Sequence, residues 1–196
     1  DSGWANVWVD GAPLVVDEHE HAGPSWGLGQ RSFACSPDGR HVAFTRNERG
    51  FGRLCVSTIG TGTVVEVARG VHGQLSWCGP HLAAVRTGAR TPTQVVVYDV
   101  PASPGDPDAT WHRRTIEVGP DPCWNDAPLV EPEAVELVAA DGSVVHARLY
   151  RADDDRADGR LICWIHGGPT DQWQVTFLPR IAYWRSLGWH VLVPDH

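Results

Sequence analysis

Leu161-Ile162-Cys163-Trp164-Ile165-His166-Gly167-Gly168-Pro169-Thr170 is the stretch from which the rest of the chain is read. Five apolar residues run straight into a histidine, two glycines and a proline. A short apolar run bounded by turn residues predicts a strand buried on both faces, as in a parallel sheet. The His-Gly-Gly-Pro that follows predicts a tight turn at the strand's carboxyl end. In open α/β sheets that is the end where ligands bind.

Downstream, Thr170 to Thr176 is expected to carry the chain over the top of the sheet. A helix is predicted from about Pro179 to Leu187, with Pro179 in its first turn and Gly188 as its stop. Ile181, Tyr183, Trp184 and Leu187 would form its apolar face. Trp189 to Val193 then reads as the next buried strand, ending at Pro194-Asp195-His196. Strand, turn, helix and strand make a βαβ unit, for which a right-handed crossover is expected.

Upstream, Val135 to Ala139 reads as a strand, Asp141-Gly142 as a hairpin turn and Val144 to Tyr150 as a second strand. Val145, Ala147 and Leu149 alternate with Val144, His146, Arg148 and Tyr150, so one face is expected to be wetter. Arg151 to Gly159 is a charged loop. Gly119 to Pro132 holds Pro120, Pro122, Pro128 and Pro132 and reads as a linker.

Before the linker the pattern is β structure. Short strands are expected at Asn6 to Val9 and Leu14 to Val16, followed by a polar loop from Asp17 to Ser25. Ser36-Pro37-Asp38-Gly39 turns one strand, Phe33 to Cys35, into another, His41 to Phe44: Pro presets the first central angle and Gly supplies a positive φ. The unit recurs. His41 to Arg46 aligns with His81 to Arg86, 40 residues on, Phe33 answers to Leu75, and Leu54 to Val56 answers to Val95 to Asp99. A several-stranded repeat of about 40 residues is a β-propeller signature. Pro101 to Asp108 is an expected exposed loop and Trp111 to Val118 one more strand of the last blade. The fold class expected from these patterns is therefore incomplete β-propeller blades in 1–118, a linker in 119–132 and the start of an α/β domain in 133–196.

A net charge of −8 with no basic run argues against nucleic acid and anionic membrane as partners. No apolar stretch reaches the roughly 18 residues a membrane span needs. The chain has no Met and no Lys; all 16 basic residues are Arg. Chemistry that needs a lysine base or Schiff base is thereby excluded within these residues, and Asp1 is not expected to be a translation start. The five cysteines are scattered, odd in number and never paired as Cys-x-x-Cys, so buried free thiols and a cytoplasmic setting are expected.

Ser-Pro-Asp-Gly turns, a Pro-rich linker, the hairpin Glu136 to Ser143, then Trp164-Ile165-His166-Gly167-Gly168-Pro169-Thr170-Asp171-Gln172-Trp173 and Leu187 to His196 together resemble the prolyl oligopeptidase family of serine peptidases. The likeness is to its acylaminoacyl-peptidase-like and dipeptidyl-peptidase-like branch, and it covers the last propeller blades and the start of the α/β-hydrolase domain. The resemblance implies hydrolysis of short peptides through a Ser-Asp-His triad, the serine in a Gly-x-Ser-x-Gly elbow. No such elbow is expected anywhere in this chain. No catalytic residue is assigned within the chain; the triad is expected beyond His196, and the chain alone is expected to be inactive.

Acyl transfer forms a negative oxygen that two preorganised N–H donors stabilise. In α/β-hydrolases one follows the nucleophile and the other comes from the loop after the third strand, where Gly167 and Gly168 lie. The resemblance favours Gly168 as the donor; Pro169 has no N–H and would stiffen the loop. His166 is expected to be a structural histidine. Asp17-Glu18-His19-Glu20-His21 has metal-ligand residue types but no second pair elsewhere, and Asp153-Asp154-Asp155 lacks calcium-loop spacing; both are read as solvated. No metal or cofactor is implied. Trp173 is the tryptophan proposed to touch substrate, while Asp195 and His196 end a strand at the expected cleft. Two other classes stay open: an esterase with the same oxyanion chemistry, and a non-catalytic propeller binding module.

Overall fold

The computed structural model describes residues 3–23, 29–119, 123–124, 128–153, 158–168 and 171–195. The first part holds a short antiparallel pair, β1 (Val7–Val9) and β2 (Ala12–Val15), and then two four-stranded antiparallel sheets. One sheet is β3 (Phe33–Cys35), β4 (His41–Glu48), β5 (Phe51–Thr58) and β6 (Val64–Arg69). The other is β7 (Val71–Cys78), β8 (His81–Gly88), β9 (Thr91–Asp99) and β10 (His112–Val118). In both, spatial order follows chain order, which is the meander of a propeller blade.

The register bears out the repeat. Ala43 stands opposite Val56 and Ala83 opposite Val97; Phe44 opposes Cys55 and Ala84 opposes Val96. The Ser36-Pro37-Asp38-Gly39 turn closes with the Gly39 N–H donating to the Ser36 carbonyl at 2.9 Å, and Gly39 has φ 69°. The Ser36 hydroxyl donates to Asp38 at 2.6 Å, which holds the Asp38 carboxyl below its ordinary value. One apolar core, with Ala43, Leu54 and Val56 from the first blade and Leu75, Leu82 and Val96 from the second, runs through both sheets.

The second part is β11 (Glu133–Val138), β12 (Val144–Tyr150), β13 (Leu161–Cys163), α1 (Pro179–Ser186) and β14 (His190–Pro194). The sheet order is β11-β12-β14-β13. β12 runs antiparallel to both neighbours, and β13 runs parallel to β14. An antiparallel hairpin feeding a parallel βαβ unit is the expected opening of an α/β-hydrolase sheet.

Four expectations need correction. β13 is not buried on both faces. It is the edge strand of this sheet, and Leu161, Cys163 and Ile165 are exposed because no element among the described residues covers that side. The polar face of β12 is not the wetter one throughout: His146 is exposed, but Arg148 is 2% exposed and Tyr150 is buried, because β14 and a blade hairpin close over that half of the strand. The helix buries Ile181 and Arg185, with Trp184 half-buried between them, whereas Tyr183 and Leu187 are exposed. The buried stripe runs through residues 181, 184 and 185, three and four apart; Tyr183 lies off it, and Leu187 follows the last helical residue as the C-cap. Finally, only Cys55 is a buried thiol, pushed up to about 12 by burial; Cys35, Cys78, Cys123 and Cys163 are exposed.

The two parts meet through blade hairpins. Ala89, in the turn between β8 and β9, is buried in the same cluster as Tyr150, Val175, Ile181, Val191 and Val193. Phe51, at the start of β5, packs against that cluster too. No helix among the described residues is long and apolar enough to cross a membrane.

Candidate oxyanion turn and its anchorage

β13 delivers the turn. The Trp164 N–H donates to the Leu192 carbonyl at 2.7 Å, carrying the parallel ladder one residue past the strand. Ile165 then faces out, and His166 turns in and is buried. His166 Nδ1 lies 3.1 Å from the Gly167 carbonyl oxygen, so the imidazole serves the turn's own backbone. Gly167 and Gly168 are both exposed. A Cβ on Gly167 would meet nothing within 4 Å, and Gly168 has φ 99°, a conformation that L side chains rarely adopt. Among the described residues no backbone hydrogen bond takes up the Gly168 N–H. Pro169, Thr170 and His196 lie outside the described residues.

Trp173 is half-buried and stands edge-on to Trp164, ring centroids 4.3 Å apart, within the core under the turn. The Arg180 guanidinium lies 4.7 Å from the centre of the Trp164 ring. Behind this aromatic pair lies a polar relay that sequence reasoning missed. Arg148 grips Asp195 with two bonds, Nη1 to Oδ2 at 2.8 Å and Nη2 to Oδ1 at 2.5 Å. Gln172 Nε2 donates to the same Oδ2 at 2.7 Å, and Asn47 Nδ2 donates to Gln172 Oε1 at 2.6 Å. Asn47 Oδ1 in turn accepts the Gly50 N–H at 2.8 Å. Arg148 Nη1 also reaches the Arg49 carbonyl at 3.3 Å. Asp195, read only as a strand end at the cleft, is thus the hub of a network joining the sheet to the blade. A buried arginine needs a partner, but alternation along one strand does not say what covers it.

The acidic cluster at 17–21 spends its groups locally. His19 Nδ1 lies 3.2 Å from Asp17 Oδ1, His21 Nε2 lies 3.6 Å from the same oxygen, and Glu20 accepts the Ala5 N–H at 3.0 Å. His21 is buried, which pushes its pKa down. One string with elbow spacing does occur in the chain, Gly23-Pro24-Ser25-Trp26-Gly27. It precedes the blades, not a strand of the hydrolase sheet, and Pro24 to Gly27 lie outside the described residues.

Blades followed by the opening of an α/β-hydrolase sheet define the fold class. Solved structures agree. A puromycin-hydrolysing peptidase of Mycobacterium tuberculosis is 25% identical with a TM-score of 0.73, over 93% of this chain and 28% of that one. A puromycin hydrolase is 26% identical with a TM-score of 0.76, over 98% of this chain and 30% of that one. A mutant of puromycin hydrolase complexed with PGG is 25% identical with a TM-score of 0.75, over 98% and 30%. These neighbours are propeller-containing peptidases of the prolyl oligopeptidase family, and the resemblance read in the sequence stands. The chain spans less than a third of their length. No family model matches the chain, and no curated protein matches it in sequence.

Proposed function

We propose that these residues are part of a serine peptidase of the prolyl oligopeptidase type that cleaves short peptides. In this reading 1–118 are the last blades, 119–132 the linker and 133–196 the first part of the catalytic domain. The observation that carries it is the exposed Gly167–Gly168 turn at the carboxyl end of β13, in a chain whose fold neighbours hydrolyse puromycin.

The Gly168 N–H serves as one donor to the tetrahedral oxyanion, and a donor of this kind accounts for about 3–4 kcal/mol of barrier. Absence of Cβ at 167 and 168 lets substrate backbone approach. His166 holds the turn through the Gly167 carbonyl. The nucleophile, its base and the second donor are not assigned to any residue here. The blades limit access, which suits short peptides; Trp173 is the proposed contact for a substrate side chain. The scattered thiols suit a reducing, cytoplasmic setting.

Expression of the full reading frame tests the reading. Aminoacyl and N-acyl-aminoacyl amides are offered beside simple esters. Amide turnover abolished by a serine-reactive phosphonate supports the peptidase. Ester turnover alone assigns an esterase, and tight peptide binding without turnover assigns a binding module. The 196 residues by themselves are expected to show no turnover.

A further inference from the structure

The segment after the turn is held mainly by the blades. The Val175 N–H donates to the Gly50 carbonyl at 2.7 Å, and the Phe177 N–H donates to Thr87 Oγ1 at 2.9 Å. Gln172, four residues past Gly168, is bonded on one side to Asn47 of the β4–β5 hairpin and on the other to Asp195. Its amide can point only one way. Asn47 uses its oxygen on the Gly50 N–H, so its NH₂ must donate; Gln172 must accept with its oxygen and donate with its nitrogen, and a carboxylate at 195 receives that donation. The relay is therefore complete only when the blade hairpin, Gln172 and the Arg148–Asp195 pair are all in place. Between Gln172 and Val175 lies Trp173, whose ring edge abuts Trp164 at the root of the turn.

We propose that Gln172 is a positioning residue that makes the order of the Gly167–Gly168 turn conditional on docking of the β4–β5 blade hairpin. The peptidase reading supplies the functional weight of that turn, so this proposal rests on it for catalytic meaning. The coupling itself is a property of the chain and is measured without turnover. Loss of the hairpin contact removes the Asn47 and Gly50 bonds together. Segment 172–175 and Trp173 are then freed, and Trp164 and the turn lose their support.

The test is backbone ¹⁵N relaxation and amide exchange on the 196-residue chain, with Gln172→Ala and Asn47→Ala beside the parent. The expected result in both variants is a fall of the Gly167 and Gly168 order parameters from about 0.85 to below about 0.6. The Val175 amide is expected to exchange about tenfold faster. Protection of Val96 and Tyr98 in β9 reports that the blades remain folded. A faster Val175 amide with unchanged order parameters at 167 and 168 would show the loop undocking without the turn, and would overturn the proposal. Unchanged values at all three positions in both variants would overturn it as well. Neither result depends on whether the full reading frame hydrolyses peptides.

Discussion

The guanidinium of Arg148 occupies the space that a side chain on Gly50 would need. A Cβ there would lie 2.7 Å from Nη1 and 3.0 Å from Cζ, and Gly50 has φ 90°. Gly142, in the β11–β12 turn, has φ 84° but open space around it. The two glycines thus separate backbone strain from crowding. Gly142→Ala is expected to cost about 1–2 kcal/mol, from the left-handed backbone alone. Gly50→Ala is expected to cost about 1–3 kcal/mol more, from displacement of the arginine. Urea denaturation of the two variants side by side measures the difference; equal costs would show that Arg148 yields freely.

Arg148 is almost wholly buried, and Asp195 is its charge partner. Removal of one partner of a buried pair leaves an uncompensated charge, at about 3–5 kcal/mol. Asp195→Ala is expected to fall in that range, and Arg148→Met with Asp195→Leu to recover most of it. A double-mutant cycle on unfolding free energies checks this, with additive losses as the contrary outcome.

His72 sets a pH dependence. Its Nδ1 lies 2.8 Å from the Gly70 carbonyl and its Nε2 2.8 Å from the Tyr98 hydroxyl. A carbonyl only accepts, so Nδ1 carries the proton and Nε2 accepts from Tyr98. Burial holds His72 down at about 4, against an ordinary value of 6.5. Between those values the unfolded chain binds the proton and the folded chain does not. The contribution of neutral His72 is therefore complete above pH 6.5 and is lost as pH falls to 4, by about 3 kcal/mol. Buried His21 acts in the same direction. His72→Gln is expected to flatten unfolding free energy against pH across that window; an unaltered slope would contradict the assignment.

Gly168→Ala places a side chain at φ 99°. The strain is expected to be about 1–3 kcal/mol. In the full reading frame the expected consequence is a lower kcat with KM little changed, because the donor is used only in the transition state. A change confined to KM would remove Gly168 from the oxyanion site.

The sequence carried the blades because their evidence is local. Ser36-Pro37-Asp38-Gly39 is a complete turn chemistry, and the repeat from His41 to His81 shows in side chains that fill successive cores: Val42 and Phe44 pack with Val15, and Leu82 and Ala84 pack with Ala43 and Leu54. The βαβ unit was legible for the same reason, and α1 ends at Ser186, one residue before its expected last residue Leu187. What was not legible depends on partners far along the chain. The apolar run at Leu161 announces burial, but burial needs a neighbour, and β13 is an edge. Arg148 looked like a wet-face residue because alternation reports periodicity and not what lies opposite. Its partners, Arg49 and Asp195, are 99 and 47 residues away. Gln172 and Asn47 gave no signal, since lone amides are common in loops and only their 125-residue pairing gives them meaning.

Ala89 inside the hydrolase core has a temporal consequence. The core around Val191 and Val193 is closed by a hairpin tip made about a hundred residues earlier in synthesis, and a chain emerging from the ribosome presents that tip first. The blades are meanders in which each strand pairs with its sequence neighbour, so their contacts are more local along the chain than those of a parallel pair. The parallel pair β13–β14 has no such advantage and finds, on emergence, a preformed template instead of an empty solvent face. The propeller would then act as a scaffold for the folding of the domain that follows it.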